Sequence, residues 1–317
     1  MTLVRTEWTV ERYEPSLAEV WDELARSARQ RHFLFERGYM DYHADRFADC
    51  SLVLVHRGEP AAALPLSRHG DEAVSHGGLT FGGLLSSPTL TTAKTIAALD
   101  AAADALRLNG FDRLVYKPVP HPYHVHPAEE DLAWLASRRA ILVRRDISAA
   151  RRGGDAPPYS AERRRAVSKG LTARLEIGPS DAIEEFMAFE RDVLLARHGA
   201  EPVHTAAELR LLADRFPEGI RLFTARHDGE LVAGVVMYET SRVAHAQYIG
   251  ASETGRQLRA GDALFDHLLG TVYADHPWFD FGISNERDGS INHGLLRNKE
   301  GFGARALVYD RWLVDLR

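Results

Sequence analysis

The 317-residue sequence predicts an α+β fold made of two tandem copies of one unit, each a mixed, mostly antiparallel sheet flanked by helices. Three observations carry that prediction. Short apolar runs bounded by turn residues alternate with longer stretches of helical periodicity. The order of these runs then repeats: the turn Gly58-Glu59 returns 171 positions later as Gly229-Glu230, Phe111-Asp112 returns 168 later as Phe279-Asp280, and Arg139-Ala140-Ile141-Leu142 returns 166 later as Arg305-Ala306-Leu307-Val308. Between the copies Gly153, Gly154, Pro157 and Pro158 mark a junction, so domains at residues 1–150 and 151–317 are expected.

In the first copy, an amphipathic helix from Ser16 to Gln30 sets Leu17, Val20, Trp21 and Leu24 on one face. A hairpin follows, Ser51 to His56 and Ala61 to Ser67, turning at Arg57-Gly58-Glu59. The third strand region, Val74 to Leu85, carries the glycines of SHGGLTFGGLL, which signal bulges or a close approach by another backbone or a ligand. Thr91 to Leu108 reads as a helix stopped by Asn109-Gly110, Phe111 to Tyr116 as a strand, residues 128–138 as a short helix and Ala140 to Ile147 as a strand. The second copy opens with a helix from Ala161 to Gly170 behind Ser160, a strand from Ala173 to Ile177, a helix from Asp181 to Arg197, and a helix from Ala206 marked by the capping pair Thr205 and Glu208. The hairpin Ile220 to Arg226 and Val232 to Tyr238, the strand Val243 to Gly250, the helix Gly261 to Tyr273 and the strand Trp278 to Phe281 then repeat the first copy's order. A helical turn from Leu295 to Asn298 and a strand from Ala306 to Asp315 close the chain.

With 45% hydrophobic and 26% charged residues the chain can bury a large core. It has no apolar run of the roughly 18 residues that a membrane-spanning helix needs. Glu7, Glu11 and Glu14 stand where a secretory leader would be basic and then apolar, so a cytoplasmic monomer is expected. One cysteine, Cys50, excludes an internal disulfide and thiolate metal clusters, and its place at the start of a strand suits a buried small residue. His121, His124 and His126 in HPYHVHP have metal-like spacing, but among prolines and without nearby carboxylates they read as a surface turn. No metal site is expected, and no nucleophile elbow is present.

The densest chemistry lies between Phe279 and Asp310. Asp280 sits on an apolar strand; Asn285, Glu286, Asp288, Asn292 and His293 fill a polar loop; and Lys299 enters the glycine corner Glu300-Gly301-Phe302-Gly303 ahead of Arg305. The chain holds only four lysines among 39 basic residues, Lys94, Lys117, Lys169 and Lys299. A lysine kept amid so much arginine marks a place for a compact ammonium where a guanidinium fork does not fit. The other concentration is electrostatic. From Arg138 to Arg174 eleven basic residues face three acidic ones in a chain of net charge -6, which fits a polyanionic ligand. Helix geometry sets Arg164 and Lys169 on neighbouring faces, able to grip a phosphate.

The duplicated unit, the YSAERRRAVSKG helix and above all FDFG followed by NKEGFGAR resemble the Fem family of aminoacyltransferases, which are two tandem GNAT-type domains, and acyltransferases of polysaccharide or natural-product gene clusters. The resemblance implies transfer of an aminoacyl group from aminoacyl-tRNA to an amine of a small molecule, peptide or amino sugar, with no bound cofactor. It implies that Lys299 assists the reacting carbonyl and that Arg164, Arg165 and Lys169 hold phosphates. This sequence departs by reading Asn298-Lys299 where the family has Phe-Lys, and by carrying Tyr42 and His43 without a lysine in the segment that holds the acceptor's nucleotide. Asn292 and Asp280 join Lys299 as catalytic candidates, Asp280, Glu286 or Asp288 being possible bases. Asn285, Arg305, Gln247 and Tyr248 are candidates for substrate binding, as are Tyr42 and Lys117 on an acceptor side in the first copy. Lys299 is expected to face the basic helix. Two donors remain open. Single-domain GNAT enzymes bind coenzyme A pyrophosphate at a helix opening with a Q/R-x-x-G-x-G/A loop, where this chain has Arg256-Gln257-Leu258-Arg259-Ala260-Gly261-Asp262; Asp262 puts negative charge there and favours aminoacyl-tRNA over acetyl-CoA. A non-catalytic protein that binds a nucleotide-linked glycan is the alternative without an enzyme.

Overall fold

The two Gly-Glu turns fold as expected, each joining an antiparallel pair. β2 (Leu52–His56) pairs with β3 (Glu59–Leu64) after β1 (Trp8–Arg12), and Gly58 takes the left-handed φ of +90° that its turn requires. A computed structural model describes residues 7–317, the side chains of Arg197 and His198 apart. It divides into one unit reaching as far as Asp146 together with Val308–Arg317, and a second, Ile147–Leu307.

In the first unit, α1 (Ala18–Ser27) buries Trp21, whose indole donates to the Phe35 carbonyl at 2.7 Å, and α2 (Arg37–Met40) follows. β1, β2, β3 and β6 (Leu85–Ser86) form one sheet; β4 (Leu66–His69), β5 (Glu72–Ser75) and β7 (Arg113–Tyr116) belong to another. The expected strand through SHGGLTFGGLL is instead a loop between β5 and β6, because close approach wins there: a Cβ on Gly78 would lie 2.0 Å from His43 Nε2, and one on Gly83 2.9 Å from the Tyr116 hydroxyl. α3 (Thr92–Leu108) and α4 (Glu130–Ser137) pack together, Leu99, Leu106, Trp134 and Leu135 meeting Leu54 and Leu64 in one core. Cys50 belongs to that core, and burial pushes its thiol up to about 12. β5 and β7 run parallel, a helix lying between them in the chain.

The second unit repeats this plan. α5 (Ala161–Leu171) leads to β9 (Glu176–Ser180), α6 (Ile183–His198) and α7 (Ala206–Arg215), the last held by a reciprocal Thr205/Glu208 capping box. β10 (Ile220–His227), β11 (Glu230–Glu239) and β12 (Val243–Ala251) form an antiparallel meander; α8 (Glu253–Leu258) and α9 (Ala260–His267) cross to β13 (Trp278–Ile283), which runs parallel to β12. α10 (His293–Glu300) follows. One sheet face carries Val235, Met237, Phe279 and Phe281 against Leu264, Phe265 and Phe302; each large apolar side chain of this kind contributes about 1.5–3 kcal/mol on burial.

The closing strands are exchanged relative to the sequence repeat. The strand β8 (Ile141–Arg152), which the repeat assigns to the first copy, enters the second unit, where Ser148 to Arg152 pair with β13. β14 (Arg305–Asp315), from the second copy, returns Trp312 to Asp315 to pair with β7 in the first unit. A cut after residue 150 therefore falls inside β8, and residues 308–317 group with the first unit.

Candidate active site

Parallel pairing between β12 and β13 lasts three residues, Val243 with Trp278, Ala244 with Phe279 and His245 with Asp280, and then the strands part. Beyond that point β12 has a bulge. Val236 pairs with Tyr248 and Met237 with Ala246, which leaves Gln247 outside the register. Bulges re-aim backbone and side chains, commonly beside active sites.

Asp280, fully buried, is the hub of this parting. Its Oδ1 accepts from the Ser148 hydroxyl at 2.5 Å and from the Gly282 amide at 2.9 Å, and its Oδ2 lies 3.3 Å from His245 Nδ1. Gly282, at φ +78°, then turns its carbonyl to Lys299. Lys299 Nζ donates to the carbonyls of Gly282 and Ile283, both at 2.7 Å. With Lys299 only 4% exposed, burial pushes its ammonium down to about 8, against the opposing pull of Asp280. Lys299 therefore faces β13, and the expectation that it faces the basic helix is corrected. On α10 it is Asn298 that lines the groove beside α5. Helical geometry accounts for this, since consecutive residues lie about 100° apart around the axis.

The polar loop before α10 is tied to itself. Asn292 caps the helix by accepting from Leu295 N at 2.9 Å, and its amide donates to Glu286 Oε1 at 2.7 Å. Asn285 accepts from Ile147 N at 2.6 Å and donates to the Gly289 carbonyl at 2.8 Å. The glycine corner is built for close approach. Arg163 packs over Gly301, a Cβ on Gly303 would lie 2.1 Å from the Pro157 carbonyl, and Phe302 stacks on Phe281 at 5.6 Å.

Ser160 caps α5 through Arg163 N at 3.1 Å. Arg163, absent from the expected site, is buried: it pairs with Asp262 on α9, donates to the Asn298 carbonyl at 2.9 Å and lies over the Phe302 ring at 4.2 Å. Arg165 and Lys169, one turn apart, join Arg163 and Arg259 in lining a groove of about 260 Å³, while exposed Arg164 folds back on the Tyr159 carbonyl at 2.5 Å. A neighbouring cavity of about 480 Å³ is lined by Ser160, Arg163, Arg297, Gly301 and Arg305 among others. The N-terminus of α9 carries an acidic residue and is approached by α5 on one side. Asp262 occupies its first turn, and Gly170 of α5 packs so tightly that a Cβ there would lie 2.6 Å from the Arg259 carbonyl.

Tyr248 is buried, its hydroxyl accepting from His204 N at 3.2 Å and touching the His204 ring. In the first unit, Lys117 is 4% exposed and donates to the carbonyls of His76 and Leu79 at 2.8 and 2.5 Å; burial pushes its ammonium down to about 7. Tyr42 stacks on His43 at 4.2 Å, with Arg46 over its ring. The structure thus brings Asp280, Lys299 and Gln247 to one parting of strands and Arg165 and Lys169 to one groove. Sequence reasoning missed His245, Ser148 and Arg163. His245 carried a signal, since the repeat matches its strand to β5, which runs parallel to β7, the strand that follows Phe111-Asp112.

Residues 159–288 match the acetyltransferase (GNAT) domain family. Several solved structures are similar over nearly the whole chain. They include FemX, at 11% identity, covering 95% of this chain and 96% of that one with a TM-score of 0.67. L-PGS from Bacillus licheniformis gives 12% identity, coverage of 96% and 92%, and a TM-score of 0.60. The tandem GNAT protein from the clavulanic acid biosynthesis pathway gives 15%, 98% and 99%, and 0.55. The sequence matches none of the curated proteins. The chain has the tandem GNAT fold that Fem-like acyltransferases share.

Proposed function

We propose that the protein is an amide-forming acyltransferase that takes an aminoacyl group from aminoacyl-tRNA and passes it to the amine of a small molecule, peptide or amino sugar. The observation that favours this donor is the acidic first turn of α9, where Asp262 stands beside the helix N-terminus that would otherwise receive a coenzyme A pyrophosphate. The groove lined by Arg165, Lys169 and Arg259 suits the phosphates of an RNA end in its stead. An ester donor already carries a leaving group, so the site must align the amine with the carbonyl and stabilise the developing oxyanion. Lys299, with two N–H groups held by Gly282 and Ile283, offers its third to the reacting or leaving oxygen.

The full-length protein is incubated with total tRNA charged with ¹⁴C-labelled amino acids or with ¹⁴C-acetyl-CoA, and with glucosamine and glycylglycine as acceptors. Transfer from tRNA is expected, and Arg165→Glu with Lys169→Glu lowers the salt slope of tRNA binding by roughly 2. Transfer from acetyl-CoA alone would replace the donor assignment, and transfer from neither, with every acyl ester left intact, would sink the reading.

A further inference from the structure

We propose that His245 is the base that removes the proton from the attacking amine, with Asp280 as the positioning residue that fixes its tautomer; this rests on the acyl-transfer reading above. An ionised carboxylate only accepts hydrogen bonds, and Asp280, fully buried, needs donors for both oxygens. Oδ1 has two, Ser148 Oγ at 2.5 Å and Gly282 N at 2.9 Å, and Oδ2 faces His245 Nδ1 at 3.3 Å. The imidazole therefore carries its proton on Nδ1, and Nε2 holds the lone pair.

That nitrogen lies on the reacting side of the ring. A Cβ on Gly282 would sit 3.6 Å from His245 Cε1 and 4.0 Å from Nε2, so the Cε1–Nε2 edge runs along Gly282, the residue whose carbonyl holds Lys299. Base and ammonium thus flank one residue of β13 at the point where pairing with β12 has ended. The other titratable groups of this parting serve poorly as bases. Asp280 has no exposed surface, and Lys299 is committed to two carbonyls. The His245 side chain retains 15% of its surface against none for Asp280.

The step balances without a further reactant. The amine nitrogen attacks the acyl carbon and forms the N–C bond while the C–O bond to the donor ribose breaks. Its proton passes to Nε2 and from there to the departing ribose oxygen, which leaves the imidazole neutral.

Two measurements on the full-length protein test this. In the first, ¹⁵N-histidine-labelled protein is read by ring ¹⁵N correlation spectra, with His245→Gln to assign the signals. The expected pattern is a protonated Nδ1 and an unprotonated Nε2, shifted toward the other tautomer by Asp280→Asn. A His245 ring protonated on Nε2 alone overturns the proposal whether or not any substrate is found, and if Asp280→Asn fails to fold, the wild-type spectrum decides. In the second, His245→Ala lowers kcat for the transfer assayed above by about 10²- to 10⁴-fold, leaves the donor KM in place and is partly restored by added imidazole. Full activity of His245→Ala, or a loss that imidazole does not restore, removes His245 from proton transfer. A wild-type protein that transfers nothing sinks the acyltransferase reading, and with it the base, while the spectra still report on the tautomer.

Discussion

Replacing Lys299 with methionine tests whether this lysine is desolvated in the folded chain. Methionine keeps the length and apolar stem but takes away the ammonium that bonds the carbonyls of Gly282 and Ile283. Burial lowers this amine from its ordinary 10.5 to about 8 in the folded chain. Between those values the unfolded chain binds a proton that the folded chain does not, so wild-type stability rises with pH through that window and carries the full cost of the buried charge below it. Each tenfold change in proton affinity corresponds to about 1.36 kcal/mol, so from about pH 7.5 to about pH 9.5 the wild type gains about 2 kcal/mol that Lys299→Met does not. Urea unfolding of both proteins at the two pH values isolates the effect, since Lys117, whose ammonium is depressed in the same direction, is present in both and cancels. A stability of the wild type minus that of the variant that is independent of pH, or that falls as pH rises, would refute a desolvated Lys299.

Two further outcomes follow from buried charge elsewhere in the second unit. Arg163→Met leaves Asp262 unpaired in a site where the two side chains are 10% and 12% exposed, which costs about 3–5 kcal/mol by urea unfolding; adding Asp262→Leu recovers part of it. Glu190 on α6 is 3% exposed, its Oε2 finds no hydrogen-bond partner among the described residues, and burial pushes the carboxyl up to about 7 from an ordinary 4.5. Here the folded chain holds the proton longer, so wild-type stability falls as pH rises, and from about pH 5 to about pH 7 Glu190→Gln gains about 2 kcal/mol on the wild type; parallel curves would show that the carboxylate is solvated.

Most of the architecture was legible because turn chemistry and periodicity act locally. The Gly58 and Gly229 hairpins, the capped α5 and α7, and the strand-helix-strand order of both copies follow from residues within a few positions of one another. Exchange of the closing strands was not legible in the same way. Residues 139–142 and 305–308 look alike because they are repeat partners, and likeness says nothing about which sheet each strand will join. The glycine loop before β6 misled for a related reason, since its glycines answer to His43 and Tyr116, distant in sequence, more than to any strand pattern.

The same distinction separates the parts of the candidate site. Lys299 stood out through composition and through a local motif, and Asp280 through its place on an apolar strand. The side of α10 on which Lys299 lies depended on a helix that begins at His293, two residues before the turn read from the sequence, and on a loop whose asparagines hold themselves in place. Pairing His245 with Asp280 required the register of two parallel strands 35 residues apart and the single-residue bulge at Gln247 that follows. Shifting that register by one residue would turn His245 to the opposite face of the sheet, where Phe265 and Phe281 pack. A base at this position is therefore a property of strand pairing more than of any motif, and a family signature that fixes only the lysine corner can leave the proton acceptor unmarked.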